Sequence, residues 1–519
     1  MSEKEKHDMF WADQIAREAK AYKGKHVVGD AKTPSGRIHV GSLRGLVIHD
    51  LIHKAVLDSG QKSEYVYRFD DFDPMDGFPP DLPESYRKYM GEPLCNIPSP
   101  EKGFDSLAQY YALEFKEVFE KLGCNPKIVW ASEAYHSGKM NEFVRIALEN
   151  AEKIREINVR ISGAKKQEGW LPINVVCEKC GKIGTTHVTD FDGKTVHYAC
   201  VGAKYADGCK QDARISPFDG NAKLTWKVEW AAQFKLYEVT IEGAGKDHYA
   251  SGGARDVSNE ITEKVFNYPA PYNFPYEFFL FGGRKMSSSK GIGLSAKSVS
   301  DSLPPELLRF VFTKYKPKTA IEFNPEGETI PRLYDDWDKF SRVYFGKEES
   351  RDPDVPRIFA LSQLHGKPKE HFHPQFSFVA FLVQVPGVDV AKAIEKHKGA
   401  ELTKEESEEL AERVAYAKLW LEKFADENAK ISIAKHADWN GVSDKAREAL
   451  AEYSNYLNLD ESGQSEKVKE ICAGHGISVQ EFYKAAYRIF ISRDKGPKLI
   501  PFLNALDKEF VEHRLKGKA

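Results

Sequence analysis

The chain has 519 residues, of which 41% are hydrophobic and 29% charged. Such a length exceeds a single hydrophobic core and predicts about three or four domains of a globular protein. A net charge of −3 excludes the global basic field of a histone-like binder, so any nucleic acid must be met by local patches. The most apolar run, residues 376–385, is too short to span a bilayer, and residues 1–14 lack a signal-peptide core. Seven cysteines, an odd number without a secretory signal, predict a reducing, cytoplasmic setting.

In chain order, residues 25–29 read as a strand that runs into a loop marked by proline and glycine. From Ser42 onward, Leu43, Leu46, Val47, Leu51, Ala55 and Leu57 recur at near-helical spacing, and Ser59-Gly60 ends the helix. Residues 65–69 form the next strand. Strand, loop, helix, strand is one crossover unit of a parallel α/β sheet. His39 and Gly41 fall at its loop-to-helix junction, where free N–H groups and the helix dipole favour an anion. Asp70, Asp71 and Asp73 follow the second strand, either to hold a substrate ammonium group or as a solvated acidic turn.

Residues 108–122 predict a helix, 127–130 a strand, and 140–157 one long amphipathic helix. Cys177 and Cys180 form a CxxC knuckle, followed by a short β-rich stretch, and Cys200 and Cys209 complete four thiolates. That set suits a structural Zn²⁺, with His197 an alternative ligand and a relic site the competing reading. Trp226 and Trp230 precede an expected strand at 238–241. Next comes a glycine-rich turn, Gly243-Ala244-Gly245, with Asp247 and His248. The segment 251–254 is expected to open a helix, 276–281 to form a strand, and Pro305 to start another helix. From about 340 onward the pattern is helical. Thr403 with Glu406 makes a capping box, and Ser478 with Glu481 caps a helix expected to break near Gly496-Pro497.

One loop joins these parts: Lys285-Met286-Ser287-Ser288-Ser289-Lys290-Gly291. Two ammonium groups, three hydroxyls and a glycine suit a polyphosphate. With Thr33-Pro34-Ser35-Gly36-Arg37-Ile38-His39-Val40-Gly41-Ser42, it resembles the KMSKS and HIGH signatures of class I aminoacyl-tRNA synthetases. The match is closest to the archaeal-type class I lysyl-tRNA synthetases and covers nearly the whole chain.

The resemblance implies an α/β Rossmann-type catalytic fold in two halves, residues 1–132 and 224–284. A zinc-bearing connective insertion at 133–223 would separate them. A catalytic loop and stem-contact segment would occupy 285–345, and an all-α anticodon-binding domain 346–519. It implies ATP with Mg²⁺, L-lysine and tRNA(Lys) as partners of a monomer that does not enter membranes. His39, Lys285 and Lys290 would stabilise phosphate charge. Pro34, Gly36, Gly41, Ser42, Met286, Ser287, Ser288 and Ser289 would line ATP. Thr33, Asp70, Trp226, Asp247, His248 and Tyr276 would hold lysine, and Cys177, Cys180, Cys200 and Cys209 would hold zinc. Two positions depart from the family pattern. Ser42 stands where histidine or asparagine is usual, which weakens one ATP contact. Ala31 stands where relatives have glycine, and its Cβ crowds the amino acid. The alternatives are a glutamate, glutamine or arginine enzyme of the same class, a small-molecule nucleotidyltransferase, or a zinc-ribbon RNA binder.

Overall fold

The computed structural model describes residues 9–281, 284–285, 293–364, 366–427 and 429–518. The chain divides into two compact units. One comprises the chain up to Phe323 together with Ser350–Gly366, and the other comprises Asn324–Glu349 together with the chain from Lys367.

The first unit is built on a parallel sheet. Strand β1 (His26–Lys32) pairs with β2 (Ser63–Phe69), and β2 pairs with β3 (Lys127–Trp130), all in parallel. On the other flank of β1, Val28 bridges Ile241, and Ile241 bridges Tyr272, again in parallel. Ala244–Gly245 and Pro275–Tyr276 continue these two outer rungs. Numbered along the chain, the order across the sheet is 3-2-1-4-5, the doubly wound arrangement. Construction reverses between β1 and the fourth rung, so a crevice opens there at the carboxyl ends of the strands.

Helix α1 (Leu43–Asp58) makes the first crossover, and its spaced apolar residues are the reason it sits where it does. Leu43, Leu46, Val47, Ile48, Leu51 and Ile52 are fully buried. Each such side chain contributes roughly 1.5–3 kcal/mol by leaving water. Burial on every side also encloses polar groups, and these are paired. The Arg44 guanidinium donates to the carbonyls of Lys316 at 2.8 Å and Thr319 at 3.1 Å. Asp50 accepts from Arg309 at 2.6 Å and from Lys54 at 2.9 Å. Helix α2 (Leu107–Lys121) leads to β3 and is capped by Ser106, whose hydroxyl accepts from the Gln109 N–H.

Three expectations about local structure are corrected. Residues 140–157 form two helices, Asn141–Glu149 and Ala151–Ser162. They part at Asn150, whose side-chain amide donates to the Ile146 carbonyl at 2.9 Å and competes with the helix ladder. The strand expected at 238–241 reduces to Ile241, because Glu238 adopts φ +54° and turns the chain. The strand expected at 276–281 is two pieces, Pro275–Tyr276 and Phe279–Phe281, in different sheets. Between them the Glu277 N–H donates to the Pro317 carbonyl.

The connective stretch carries a small antiparallel sheet of Thr186–Phe191, Val196–Cys200 and Asp212–Ile215. After Ile321–Glu322, every regular element among the described residues is helical. Thr403 and Glu406 form the expected capping box. The apolar run at 376–385 becomes a short buried helix, Phe376–Leu382. Ser478 caps Val479–Ile491, which stops at Ser492 with φ +54°, before Gly496-Pro497. Among the described residues, no helix is long and apolar enough to cross a membrane.

Candidate active site

The crevice at the switch point holds a cavity of about 250 Å³. Its walls come from the ends of four strand rungs and from helix α3 (Trp226–Leu236). The end of β1 supplies Asp30, Ala31 and Thr33, and that of β2 supplies Arg68 and Asp70. Gly243, Ala244 and Gly245 come from the fourth rung and Tyr276 from the fifth.

One side of the cavity is aromatic. Trp226 and Trp230 stack at 6.1 Å with an interplanar angle of 15°, one helical turn apart on α3. The His248 ring sits against both, at 5.5 Å and 5.6 Å. Trp226 is 52% exposed, unusual for tryptophan, because it faces the open side of the crevice. Trp230 is held from behind: its indole N–H donates to Glu242 at 2.5 Å. Glu242 is buried and also meets Arg68 at 3.2 Å and Arg255 at 3.4 Å. Burial alone would raise the Glu242 carboxyl, but Arg68 and Arg255 outweigh it and hold it below the ordinary value.

The floor is a second set of charges. Thr33 donates its hydroxyl to Asp73 at 2.6 Å. Lys223, 4% exposed, meets Asp73 at 3.0 Å and forms a close ion pair with Glu229. Burial pushes Glu229 up to about 7 against the pull of Lys223. Gln233 donates to Asp70 at 3.2 Å. Burial likewise lifts the Asp70 carboxyl, with Arg68 opposing and Asp73 adding to the rise. Four carboxylates, Asp30, Asp70, Glu229 and Glu242, line the pocket beside two cations, Lys32 and Arg68, a balance that suits an ammonium group.

Tyr276 closes the cavity against α1. A Cβ placed on Gly45 would meet the Tyr276 hydroxyl at 2.5 Å and Asp30 Oδ2 at 3.3 Å. Glycine at that helical position is therefore a packing requirement of the tyrosine. His49, one turn on, accepts from the Gly243 N–H at 2.9 Å through Nε2 and donates from Nδ1 to the Gly45 carbonyl at 2.7 Å. That pair of bonds fixes its tautomer and ties α1 to the fourth rung.

The HIGH-like stretch turns into α1 through a short 3₁₀ turn, Val40–Ser42. Pro34 and Gly36 are buried, while His39, Gly41 and Ser42 are half-buried. Neither His39 nor Ser42 caps the helical turn that follows it with its side chain. The chain just after the KMSKS-like loop runs alongside. His39 bridges Ser295 antiparallel, the Val40 N–H donates to Leu294 O at 3.0 Å, and the Ala296 N–H donates to Ile38 O at 2.9 Å. On the loop's other flank, Arg284–Lys285 pairs antiparallel with Leu280 and Phe281. Met286, Ser287, Ser288, Ser289, Lys290 and Gly291 lie outside the described residues.

The fold thus gathers Thr33, Asp70, Trp226, His248 and Tyr276 into one cavity. Asp247 is exposed and not among its lining residues, although a Cβ on Gly245 would meet its carboxylate at 2.8 Å. Glu229, Gln233, Arg68 and Glu242 were not singled out from the sequence. Arg68 and Glu242 end strand rungs, the position that signals a site in a doubly wound sheet. Glu229 sits between the two tryptophans of one helix, with no motif to mark it.

The four cysteines converge. Cys177 Sγ lies 3.5 Å from Cys209 Sγ, and Cys180 Sγ 3.8 Å from Cys200 Sγ. Zn–S bonds of about 2.3 Å in a tetrahedron set a sulfur–sulfur edge of about 3.8 Å, which these two edges approach. Burial would raise the Cys177 thiol, but the N–H groups of Cys180 and Lys179 bring it down to about 7. His197 faces away from this set, bonded to Thr189 at 2.9 Å and to Asp212 at 2.8 Å.

Comparison with known proteins adds a family. The profile described as tRNA synthetases class I (K) matches residues 9–365. The lysine–tRNA ligase of Pyrococcus horikoshii is 33% identical over 525 residues, 98% of each chain. That of Archaeoglobus fulgidus is 32% identical over 514 residues, 98% of this chain and all of the relative. A glutamate–tRNA ligase structure from Elizabethkingia meningosepticum aligns over 95% of this chain and 98% of that one, at 13% identity and a TM-score of 0.41.

Proposed function

This chain belongs to the family of class I tRNA synthetases (K), and from that premise we propose how it works as a lysine–tRNA ligase. Lysine and ATP react first. A carboxylate oxygen of lysine attacks the α-phosphorus, the bond to the β-phosphate oxygen breaks, and pyrophosphate leaves. A ribose hydroxyl of the terminal adenosine of tRNA(Lys) then attacks the lysyl carbonyl, and AMP departs. Lysine brings its own nucleophile, so the protein's task is positioning and charge stabilisation. Mg²⁺, when bound with ATP, neutralises part of the phosphate charge.

In this reading the cavity of Thr33, Asp70, Trp226, Glu229, His248 and Tyr276 receives lysine. Its apolar stem lies along the indoles, and its ammonium groups meet the carboxylate-rich floor. Asp247 acts from the rim. Pro34, Gly36, Gly41 and Ser42 lie along ATP at the start of α1, where N–H groups and the helix dipole favour phosphate. His39, Lys285 and Lys290 stabilise the pentacoordinate phosphorus, with Met286, Ser287, Ser288 and Ser289 in the same loop.

The observation that carries this reading is the backbone pairing of residues 38–40 with 294–296. It supports a single ATP clamp made from motifs more than two hundred positions apart.

Residues 1–132 and 224–284 are assigned to catalysis, 133–223 to the insertion, 285–345 to the loop and stem contact, and 346–519 to anticodon binding. Cys177, Cys180, Cys200 and Cys209 hold a structural Zn²⁺ that fixes the inserted lobe and takes no part in the reaction. The enzyme works as a cytoplasmic monomer.

The test is amino-acid-dependent ATP–pyrophosphate exchange across a panel of amino acids. Lysine should support exchange, and Lys285→Ala and Lys290→Ala should each abolish most of it. Exchange with glutamate or arginine but not lysine would overturn the assignment.

A further inference from the structure

A second cluster of ligand-type side chains lies in the helical unit. His371 and His373 sit in an irregular stretch before the helix Phe376–Leu382, with ring centroids 4.4 Å apart. Both face Glu409 on the helix Lys404–Lys423. His371 Nε2 is 2.5 Å from Glu409 Oε2. His373 Nδ1 is 2.9 Å from Oε1 and 3.0 Å from Oε2. One nitrogen from each ring and one carboxylate oxygen lie within 4.8 Å of one another.

The outward nitrogens decide what the inward ones are. His371 Nδ1 is 3.0 Å from the Lys369 carbonyl, which can only accept, so Nδ1 carries the proton. In the neutral ring Nε2 is then a lone pair. His373 Nε2 meets the Ser341 hydroxyl at 2.9 Å, which can donate or accept, and with the proton on Nε2 the Nδ1 lone pair faces the cluster. Two imidazole lone pairs and a carboxylate therefore point at one place. Three acceptors in this arrangement converge only on a positive centre, a proton or a metal ion. An imidazole whose far N–H is anchored on a carbonyl or hydroxyl is also how metal-ligating histidines are oriented.

The neighbouring charges leave room for a cation. Arg413 donates to Glu409 Oε1 at 2.8 Å, but it also forms a buried pair with Asp338, so its charge is already balanced. Glu406, close by, is engaged by Lys398 and by the N–H groups of Phe372 and Thr403. Glu409 is left with one uncompensated negative charge toward the two rings. The His371 side chain is 28% exposed and gives solvent a way in.

We propose that His371, His373 and Glu409 form a second metal site, for Zn²⁺ or a related borderline divalent ion, separate from the cysteine cluster. The donor set, two imidazole nitrogens and one carboxylate oxygen, is of the type zinc accepts with a water in the fourth position. Metal–ligand bonds of about 2.0–2.1 Å set an edge near 3.4 Å, so the carboxylate needs to withdraw by less than about 1 Å. Such an ion would staple the irregular stretch before Phe376 to the helix carrying Glu409.

The test uses the full chain, loaded with Zn²⁺ and freed of excess metal. Wild-type protein should hold one more zinc per chain than the His371→Ala/His373→Ala double variant, and Cys180→Ser should not affect this difference. Loading a variant with all four cysteines of the cluster changed to serine with Co²⁺ should give the visible d–d absorption of nitrogen and oxygen ligation without a sulfur charge-transfer band. A further His371→Gln substitution should remove it. That single change at a partly exposed ring keeps the test valid if the double variant does not fold. Equal metal content in wild-type and folded variant protein would overturn the proposal. So would nuclear magnetic resonance showing both rings doubly protonated at neutral pH in the presence of Zn²⁺.

Discussion

Gly45→Ala separates stability from function at this site. Alanine is the better helix former, by about 1 kcal/mol in a helix interior. Against that, the new Cβ would stand 2.5 Å from the Tyr276 hydroxyl. Carbon–oxygen contact needs about 3.5 Å, so the ring must move by roughly 1 Å. Overpacking of this kind costs about 1–3 kcal/mol, so the net loss of stability is about 0–2 kcal/mol. The functional loss should be larger, because Tyr276 lines the cavity and a displacement of about 1 Å in a positioning group costs on the order of 10²-fold in rate. Lysine-dependent ATP–pyrophosphate exchange and urea unfolding measure the two quantities. The expected pattern is a kcat/KM for lysine down by about two orders of magnitude with stability nearly unchanged. Adding Tyr276→Phe should recover part of the loss, since it removes the atom the Cβ meets. Unchanged exchange in Gly45→Ala would refute the geometry, and so would a loss that Tyr276→Phe deepens.

Glu242→Gln should destabilise the protein by about 3–5 kcal/mol, because Arg68 and Arg255 would remain buried without their counter-charge. The folded carboxyl is held below its ordinary value, so its contribution is complete above the unfolded value of about 4.3 and fades as pH falls through the depressed folded value. Urea unfolding should show the gap between variant and wild type closing on acidification, and a constant gap would count against the ion pairs. Glu229, raised to about 7, should lose its charge as pH drops through that value. The cavity is then less negative, so the KM for lysine should rise on the acid side. Glu229→Gln should erase that step, and a step that persists belongs to another group. Cys180→Ser should weaken the thiolate-to-metal charge-transfer band of Co²⁺-loaded protein, and a chelator should loosen the lobe carrying Thr186–Phe191. A band of undiminished strength would place the metal elsewhere.

Much of this was legible from spacing. The crossover unit of β1, α1 and β2 follows from alternation between a short apolar run and a near-helical stripe, although β1 runs three residues past the expected end and β2 starts two residues early. Capping boxes are local, so Thr403 with Glu406 was read directly. The knuckle at Cys177 and Cys180 is equally local, and the more distant Cys200 and Cys209 complete the cluster. Misreadings came where two local signals compete. Asn150 bonds its own helix and breaks it, although the apolar stripe runs on across the break. Glu238 turns the chain where a β-branched run promised a strand.

By itself the sequence determined the class of chemistry, because motifs such as Thr33–Ser42 and the loop after Lys285 need particular side chains in a particular order. It determined the parallel sheet too, through the period of its apolar residues. Tertiary structure alone decided how the sheet is wound. Val28 and Ile241 are neighbours only after the chain has passed through the whole insertion. It also decided the pocket's charge. Lys223, Glu229 and Asp73 cancel or leave charge according to distances that no spacing records. Gly45 reads in the sequence as a weak point in a helix, and in the fold as the space that Tyr276 occupies. The physical reason is the same in each case. Periodicity reports which face of an element is apolar, whereas burial, ion pairing and close contact depend on what a different element brings to that face.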